Sequence, residues 1–78
     1  MADENDRAQA LRALGEAERG LNRGGPEAIA PYREAVAIYR EAGDPLRLAH
    51  TVRHLGDVYF EAGRAELAGP CFKEALEL

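Results

Sequence analysis

The chain has 78 residues, enough for one small domain that buries roughly 60–65% of the surface its unfolded form exposes. Its 10 Lys and Arg against 14 Asp and Glu give a net charge of −4, which argues against a nucleic-acid phosphate binder. A single cysteine, an acidic amino terminus without a signal-like apolar stretch, and no apolar run near the roughly 20 residues of a membrane helix predict a cytoplasmic protein.

Ala, Leu, Glu and Arg dominate the composition and favour helix, while Gly and Pro divide the chain into four segments. The first predicted helix covers about residues 5–19, with Asp3 or Asn5 as its cap. Its predicted core stripe consists of Ala8, Leu11, Leu14, Gly15 and either Ala17 or Glu18, with Leu21 just beyond. The second predicted helix covers about residues 27–42, between Pro26 at its first position and Gly43 as a left-handed end.

The third predicted helix covers about residues 45–62 and begins after Asp44, a favourable cap. Its apolar stripe is regular at spacings of three and four: Leu48, Val52, Leu55, Tyr59 and Ala62. The fourth covers about residues 65–78 with Ala68, Phe72 and Ala75 as its stripe. Pro31 and Pro70 fall about five residues into their helices, which predicts either an early kink or a regular helix that begins at the proline.

The segments repeat. Leu14-Gly15 recurs as Leu55-Gly56 after 41 residues, and Ala28-x-x-x-Tyr32-x-x-Ala35 recurs as Ala68-x-x-x-Phe72-x-x-Ala75 after 40. The sequence therefore predicts an all-α fold of two tandem antiparallel helix-turn-helix hairpins, stacked as a short α-solenoid. Residues 1–78 form a single domain, with repeat one at about 5–42 and repeat two at about 45–78.

These residues carry a family resemblance. Val52-x-x-Leu55-Gly56-x-x-Tyr59, followed by the Ala68, Phe72 and Ala75 pattern, closely resembles a tetratricopeptide repeat. The first copy is weaker, since Glu18 stands where that family has Tyr. A period of 40 to 41 residues is longer than the usual 34 and is similar to the long-helix variant of kinesin light chains. The resemblance implies a scaffold that binds a partner protein or peptide, without enzymatic activity or cofactor.

The resemblance also implies a concave groove lined by the first helix of each hairpin. The residues expected to contact a partner are Arg12 and Glu16 in the first copy and, as their counterparts, Arg53 and Asp57 in the second. Each pair is spaced four residues apart, so the alternative to groove contact is a local ion pair on one helix. The family's clamp for a terminal carboxylate needs Lys and Asn at such positions, and this chain has neither there.

His50 and His54 are the residues with the spacing of a zinc site, since positions i and i+4 share one helix face. Thr51 follows His50, however, where the metalloprotease motif needs Glu. We expect no metal site, and we assign His50 to the partner-binding groove. Cys71 lies beside Phe72 and is expected to be buried and inert, and no nucleophile and base are paired in the sequence.

The repeat pattern stops at Leu78, without the further repeat or polar capping helix that such arrays carry. Two explanations follow and are compatible. The chain is a fragment of a longer array, or it self-associates through its last helix. The residues expected to mediate self-association as a homo-oligomer are Leu67, Leu76 and Leu78.

Overall fold

The computed structural model describes residues 4–78, and this range forms four α-helices without any β-strand. They are α1 (Glu4–Asn22), α2 (Ile29–Ala42), α3 (Pro45–Glu61) and α4 (Ala65–Glu77). Helix α1 packs on α2 and α3 packs on α4, which gives two antiparallel hairpins, and the contact of α2 with α3 stacks one hairpin on the other. The predicted all-α short solenoid is confirmed.

The helix ends follow local chemistry. The Asp44 carboxylate accepts a hydrogen bond from the backbone N–H of Arg47 at 3.1 Å and thereby caps α3 as predicted. Gly43 ends α2 in the left-handed conformation, with φ of 67°. Of the two caps predicted for the first helix, Asp3 lies outside the described residues. Asn5 was the wrong choice, because α1 begins at Glu4 and already includes it.

The two internal prolines are accommodated differently. A short 3-10 helix, Pro26–Ala28, precedes α2, so Pro31 falls in the first turn of the α-helix. Backbone N–H groups in a first turn have no acceptor within the helix, so the missing one costs little there. Pro70 is the sixth residue of α4 and lies inside it. Helix α4 therefore continues through its proline, at the cost of one backbone hydrogen bond.

The core is a continuous cluster drawn from all four helices and the 3-10 turn. The predicted stripe of α3 is confirmed at Leu48, Val52, Leu55 and Tyr59, whereas Ala62 is exposed. The complete set of buried hydrophobic residues in this cluster is Ala10, Ala13, Ala17, Ala28, Tyr32, Ala35, Val36, Tyr39, Leu48, Val52, Leu55, Val58, Tyr59 and Ala68.

The buried face of α1 differs from the predicted stripe. Ala10, Ala13, Ala17 and Gly20 are buried, whereas Leu11 is 59% exposed and Ala8 is exposed. The physical reason is the closeness of the chain that follows: a Cβ on Gly20 would lie 2.6 Å from the backbone nitrogen of Ala28. Only small side chains fit such an approach, so α1 packs mainly on its alanines, with Leu14 half-buried at the edge of the core.

The internal equivalence of the two hairpins must be corrected accordingly. A Cβ on Gly56 would lie 2.8 Å from Cε1 of Phe72, whereas one on Gly15 would meet only the Arg19 side chain, at 3.7 Å. Gly15 therefore lacks the packing role of Gly56. The buried series Ala13, Ala17 and Gly20 matches Val52, Gly56 and Tyr59, which places the counterpart of an α1 residue 39 positions along the chain.

Candidate functional site

Two open clefts meet on α3. The inter-hairpin cleft, of about 350 Å³, lies between the hairpins and is lined by Leu11, Leu14, Tyr39, Leu46, Arg47, His50 and Thr51. The α3/α4 cleft, of about 500 Å³, is lined by Leu46, Ala49, His50, Arg53, Phe72, Ala75 and Leu76. Leu46 and His50 line both clefts, so the two form one surface that is continuous across α3.

Three of the predicted partner-binding residues lie on the exposed side of α3. His50 and Arg53 line the clefts, and Asp57 is exposed one turn beyond Arg53. Within residues 4–78 no salt bridge joins Arg53 to Asp57, so the local ion pair expected as an alternative does not form here. Tyr32 lies near this face, and its pKa is raised by burial first and then by Glu18 and Asp57.

Arg12 and Glu16 lie elsewhere. Arg12 Nη1 is 3.0 Å from Glu16 Oε1, which is the local ion pair, and its Nη2 donates to Glu34 on α2. These carboxylates, Glu34 foremost, raise the pKa of Arg12. Neither Arg12 nor Glu16 is among the residues lining the two described clefts.

The sequence interpretation that treated Arg12 and Glu16 as counterparts of Arg53 and Asp57 is therefore corrected. Under the 39-residue equivalence the counterparts of Arg53 and Asp57 are Leu14 and Glu18. The counterpart of His50 is Leu11, which lines the inter-hairpin cleft together with Leu14. The sequence interpretation missed this apolar lining because it assigned both leucines to the core. Leu14 does pack against the core as a half-buried residue, whereas Leu11 is exposed.

The two histidines are in contact with each other. Nε2 of His50 lies 3.2 Å from Nε2 of His54, and the rings meet edge to face with centroids 4.6 Å apart. The His54 ring stacks parallel on Tyr32 of α2, with centroids 6.1 Å apart. His54 thus contributes to hairpin packing while His50 faces the clefts. The part of the chain that the structure describes holds no group of three or more His, Cys, Asp or Glu placed to bind a metal ion.

The leucines predicted to mediate self-association lie on α4 and, for Leu78, directly after it. Leu67, Leu76 and Leu78 are all exposed, and of the three only Leu76 lines the α3/α4 cleft. Cys71 is half-buried rather than buried as predicted, and burial, followed by the charge of Glu74, raises the pKa of its thiol. A raised pKa keeps the thiol protonated and unreactive at neutral pH.

One ion pair links the second helix of one hairpin to the second helix of the other. Arg40 of α2 reaches Glu74 of α4 with two hydrogen bonds, Nη1 to Oε2 at 2.6 Å and Nη2 to Oε1 at 3.2 Å. The hydrogen bond from Arg40 lowers the pKa of the Glu74 carboxyl below its ordinary value of 4.5. Two parallel bonds fix the relative orientation of the groups more firmly than a single contact does.

A family model described as tetratricopeptide repeat matches residues 6–78 of the chain. Comparisons with curated proteins and with solved structures find no match. None of the helices in residues 4–78 is both long enough and apolar enough to cross a membrane.

Proposed function

Because the chain belongs to the tetratricopeptide repeat family, whose members generally mediate protein–protein interactions, we propose that it binds a peptide segment of a partner protein along the inter-hairpin cleft. Repeats of this family are typically non-enzymatic scaffolds. The observation that carries the proposal is the apolar lining of this cleft by Leu11 and Leu14 of one hairpin and Leu46 of the other. A cytoplasmic location, expected from the composition, is part of the same proposal.

The chemistry of the cleft favours a particular kind of peptide. Leu11 and Leu46 are large, exposed apolar side chains, and burying them on binding is favourable. Arg53 lies about one turn beyond His50 on the same helix and lines the adjoining α3/α4 cleft. Its guanidinium makes no salt bridge within residues 4–78. These features support a peptide that combines an apolar side chain for the cleft with an acidic residue for Arg53.

The test is selection of binding peptides from a displayed random library on the 78-residue chain, followed by affinity measurements on variants. We expect Leu11→Glu to weaken the selected peptides about tenfold or more, and Arg53→Ala to weaken them about threefold to tenfold. Arg12→Ala serves as the matched control, since Arg12 is bound to Glu16 and Glu34, and it should change affinity less than about twofold.

Peptides that bind Leu11→Glu as tightly as the wild type would refute a role for the inter-hairpin cleft. A loss of affinity in Arg12→Ala equal to that in Arg53→Ala would restore the original assignment of Arg12 and Glu16 to the groove. Circular dichroism of each variant separates loss of binding from loss of fold.

Self-association through α4 remains a prediction, and the exposure of Leu67, Leu76 and Leu78 is the observation that favours it. Light scattering over a concentration series tests it. A mass that rises with concentration, and falls back to that of one chain in a Leu76→Glu, Leu78→Glu double variant, would support it. A single-chain mass at millimolar concentration would exclude it.

A further inference from the structure

Equivalent surfaces of the two hairpins differ in their exposure to solvent. Val36 of α2 and Leu76 of α4 occupy the same repeat position, 40 residues apart, yet Val36 is 9% exposed and Leu76 is 89% exposed. Their neighbours follow the same trend: Tyr32 and Ala35 are buried, while Phe72 and Ala75 are only half-buried. The α3/α4 cleft is thus the uncovered counterpart of a surface that is covered in the first hairpin.

The structure shows what covers that surface in the first hairpin. Helix α3 packs on α2, with the ring of His54 stacked on Tyr32. The buried side of α3 consists of apolar or small residues at helical spacing: Leu48, Thr51, Val52, Leu55, Val58 and Tyr59. An occupant for the equivalent cleft therefore has a known pattern, that of an amphipathic helix with this kind of inner face.

The first helix of a second copy does not have this pattern. Under the 39-residue equivalence, α1 carries Gln9, Arg12, Glu16 and Arg19 where α3 carries Leu48, Thr51, Leu55 and Val58. Burying the charged groups of Arg12, Glu16 and Arg19 against Phe72 and Leu76 would cost far more free energy than the apolar contacts would gain. Head-to-tail stacking of identical chains is disfavoured for this reason.

We propose that the α3/α4 cleft is a docking site for an amphipathic helix supplied by a partner protein, with an inner face of the α3 type. Its rim specifies one further feature. His50 and Arg53 stand where the first hairpin has Leu11 and Leu14, so a partner helix gains from an acidic residue facing them. This site adjoins the proposed peptide cleft and shares Leu46 and His50 with it, and both proposals use Arg53. Phe72, Ala75 and Leu76 line only the α3/α4 cleft, so a substitution at Leu76 distinguishes the two sites.

The chain offers its own probes. A fluorescently labelled peptide of residues 44–62, which reproduces α3, is titrated with the intact 78-residue chain, and a peptide of residues 4–22, which reproduces α1, is the matched control. We expect the α3 peptide to bind and the α1 peptide to bind at least about tenfold more weakly. Leu76→Glu in the chain should weaken the α3 peptide about tenfold or more, whereas Phe60→Glu should leave binding unchanged. Phe60 is 63% exposed and does not line the cleft.

The preference for an acidic residue facing Arg53 is tested separately. Replacing Leu46 by Glu in the α3 peptide should strengthen binding to the wild-type chain about threefold to tenfold. The same replacement should give no gain with an Arg53→Ala chain. This coupling would locate the peptide on the α3/α4 cleft rather than on the surface that the chain's own α3 covers.

Four results would overturn the proposal. These are no binding of the α3 peptide up to 1 mM, equal binding by the Leu76→Glu chain, equal binding of the α1 peptide, or a dimer of the unliganded chain that Leu76→Glu dissolves. The last would show that a second copy fills the cleft. Leu11→Glu, the variant that tests the peptide cleft, should leave the α3 peptide unaffected, so the two proposals fail separately.

Discussion

The first hairpin is closed on the side that faces its neighbour, whereas the second is open on the equivalent side. Val36 is buried on α2, the helix on which α3 packs, whereas Leu76 at the same repeat position of α4 is exposed. The hairpins also differ inside: α1 packs on alanines and Gly20, whereas α3 packs with larger residues such as Val52 and Tyr59. Equivalent positions in the two copies therefore have different energetic roles, set by what lies next to them rather than by residue type.

The largest expected contrast is between Val36→Glu and Leu76→Glu. A carboxylate at position 36 would be buried without a partner, which we expect to destabilise the domain by about 4 kcal/mol and to unfold much of it. Leu76→Glu changes a side chain already in water and should stay within about 0.5 kcal/mol of the wild type. Urea denaturation followed by circular dichroism measures both. Similar losses in the two variants would mean that α3 does not cover the first hairpin as described.

A second contrast concerns the glycines of α1. Gly20→Ala would place a Cβ 2.6 Å from backbone atoms, and we expect a loss of about 2–3 kcal/mol. Gly15→Ala meets only the end of the Arg19 side chain and should stabilise α1 by up to about 1 kcal/mol through helix propensity. Thermal unfolding of both variants tests the 39-residue equivalence. A destabilising Gly15→Ala would favour the 41-residue match of Leu14-Gly15 with Leu55-Gly56 instead.

The smallest expected effect concerns the ion pair between Arg40 and Glu74. The folded-state pKa of Glu74 is lowered, so the stability it contributes is complete above its ordinary pKa of 4.5 and is lost as pH falls through the folded value. We expect Arg40→Ala to lower stability by about 0.5 kcal/mol at pH 7 and to have almost no effect at pH 2. Denaturation curves at both pH values measure the difference. An equal loss at pH 7 and pH 2 would assign the role of Arg40 to packing of its aliphatic stem.

The fold could be predicted from the sequence because the helix ends depend on adjacent residues and the apolar stripe of α3 is regular. Asp44 caps α3 and Gly43 ends α2 through hydrogen bonds and backbone conformations set by adjacent residues. The face of α1 could not be predicted by choosing its most apolar residues, since close approach to the following turn selects small ones. A stripe of Ala10, Ala13, Ala17 and Gly20 was the available signal, at spacings of three and four.

The candidate site was predicted only in part for the same reason. His50, Arg53 and Asp57 were assigned to the partner-binding groove, which remains a prediction. All three are exposed, and His50 and Arg53, but not Asp57, line the described clefts. Arg12 and Glu16 were matched to them by aligning Leu14-Gly15 with Leu55-Gly56. The packing of Gly15 and Gly56 shows that these two positions are not structurally equivalent. An error of two residues on a helix turns a side chain by more than half a turn. The leucines that line the inter-hairpin cleft were therefore left out of the predicted site.

The charged side of α1 also disfavours the growth of head-to-tail filaments. In the proposed docking, the chain accepts a helix at its α3/α4 cleft, whereas its own α1 does not present a matching apolar face to another copy. In the proposed docking each chain therefore takes up one partner helix in this cleft, and raising the concentration does not extend head-to-tail stacking into filaments. Substituting leucines for Arg12 and Glu16 would give α1 an apolar face for the α3/α4 cleft of another copy, and we expect such a variant to polymerise head to tail.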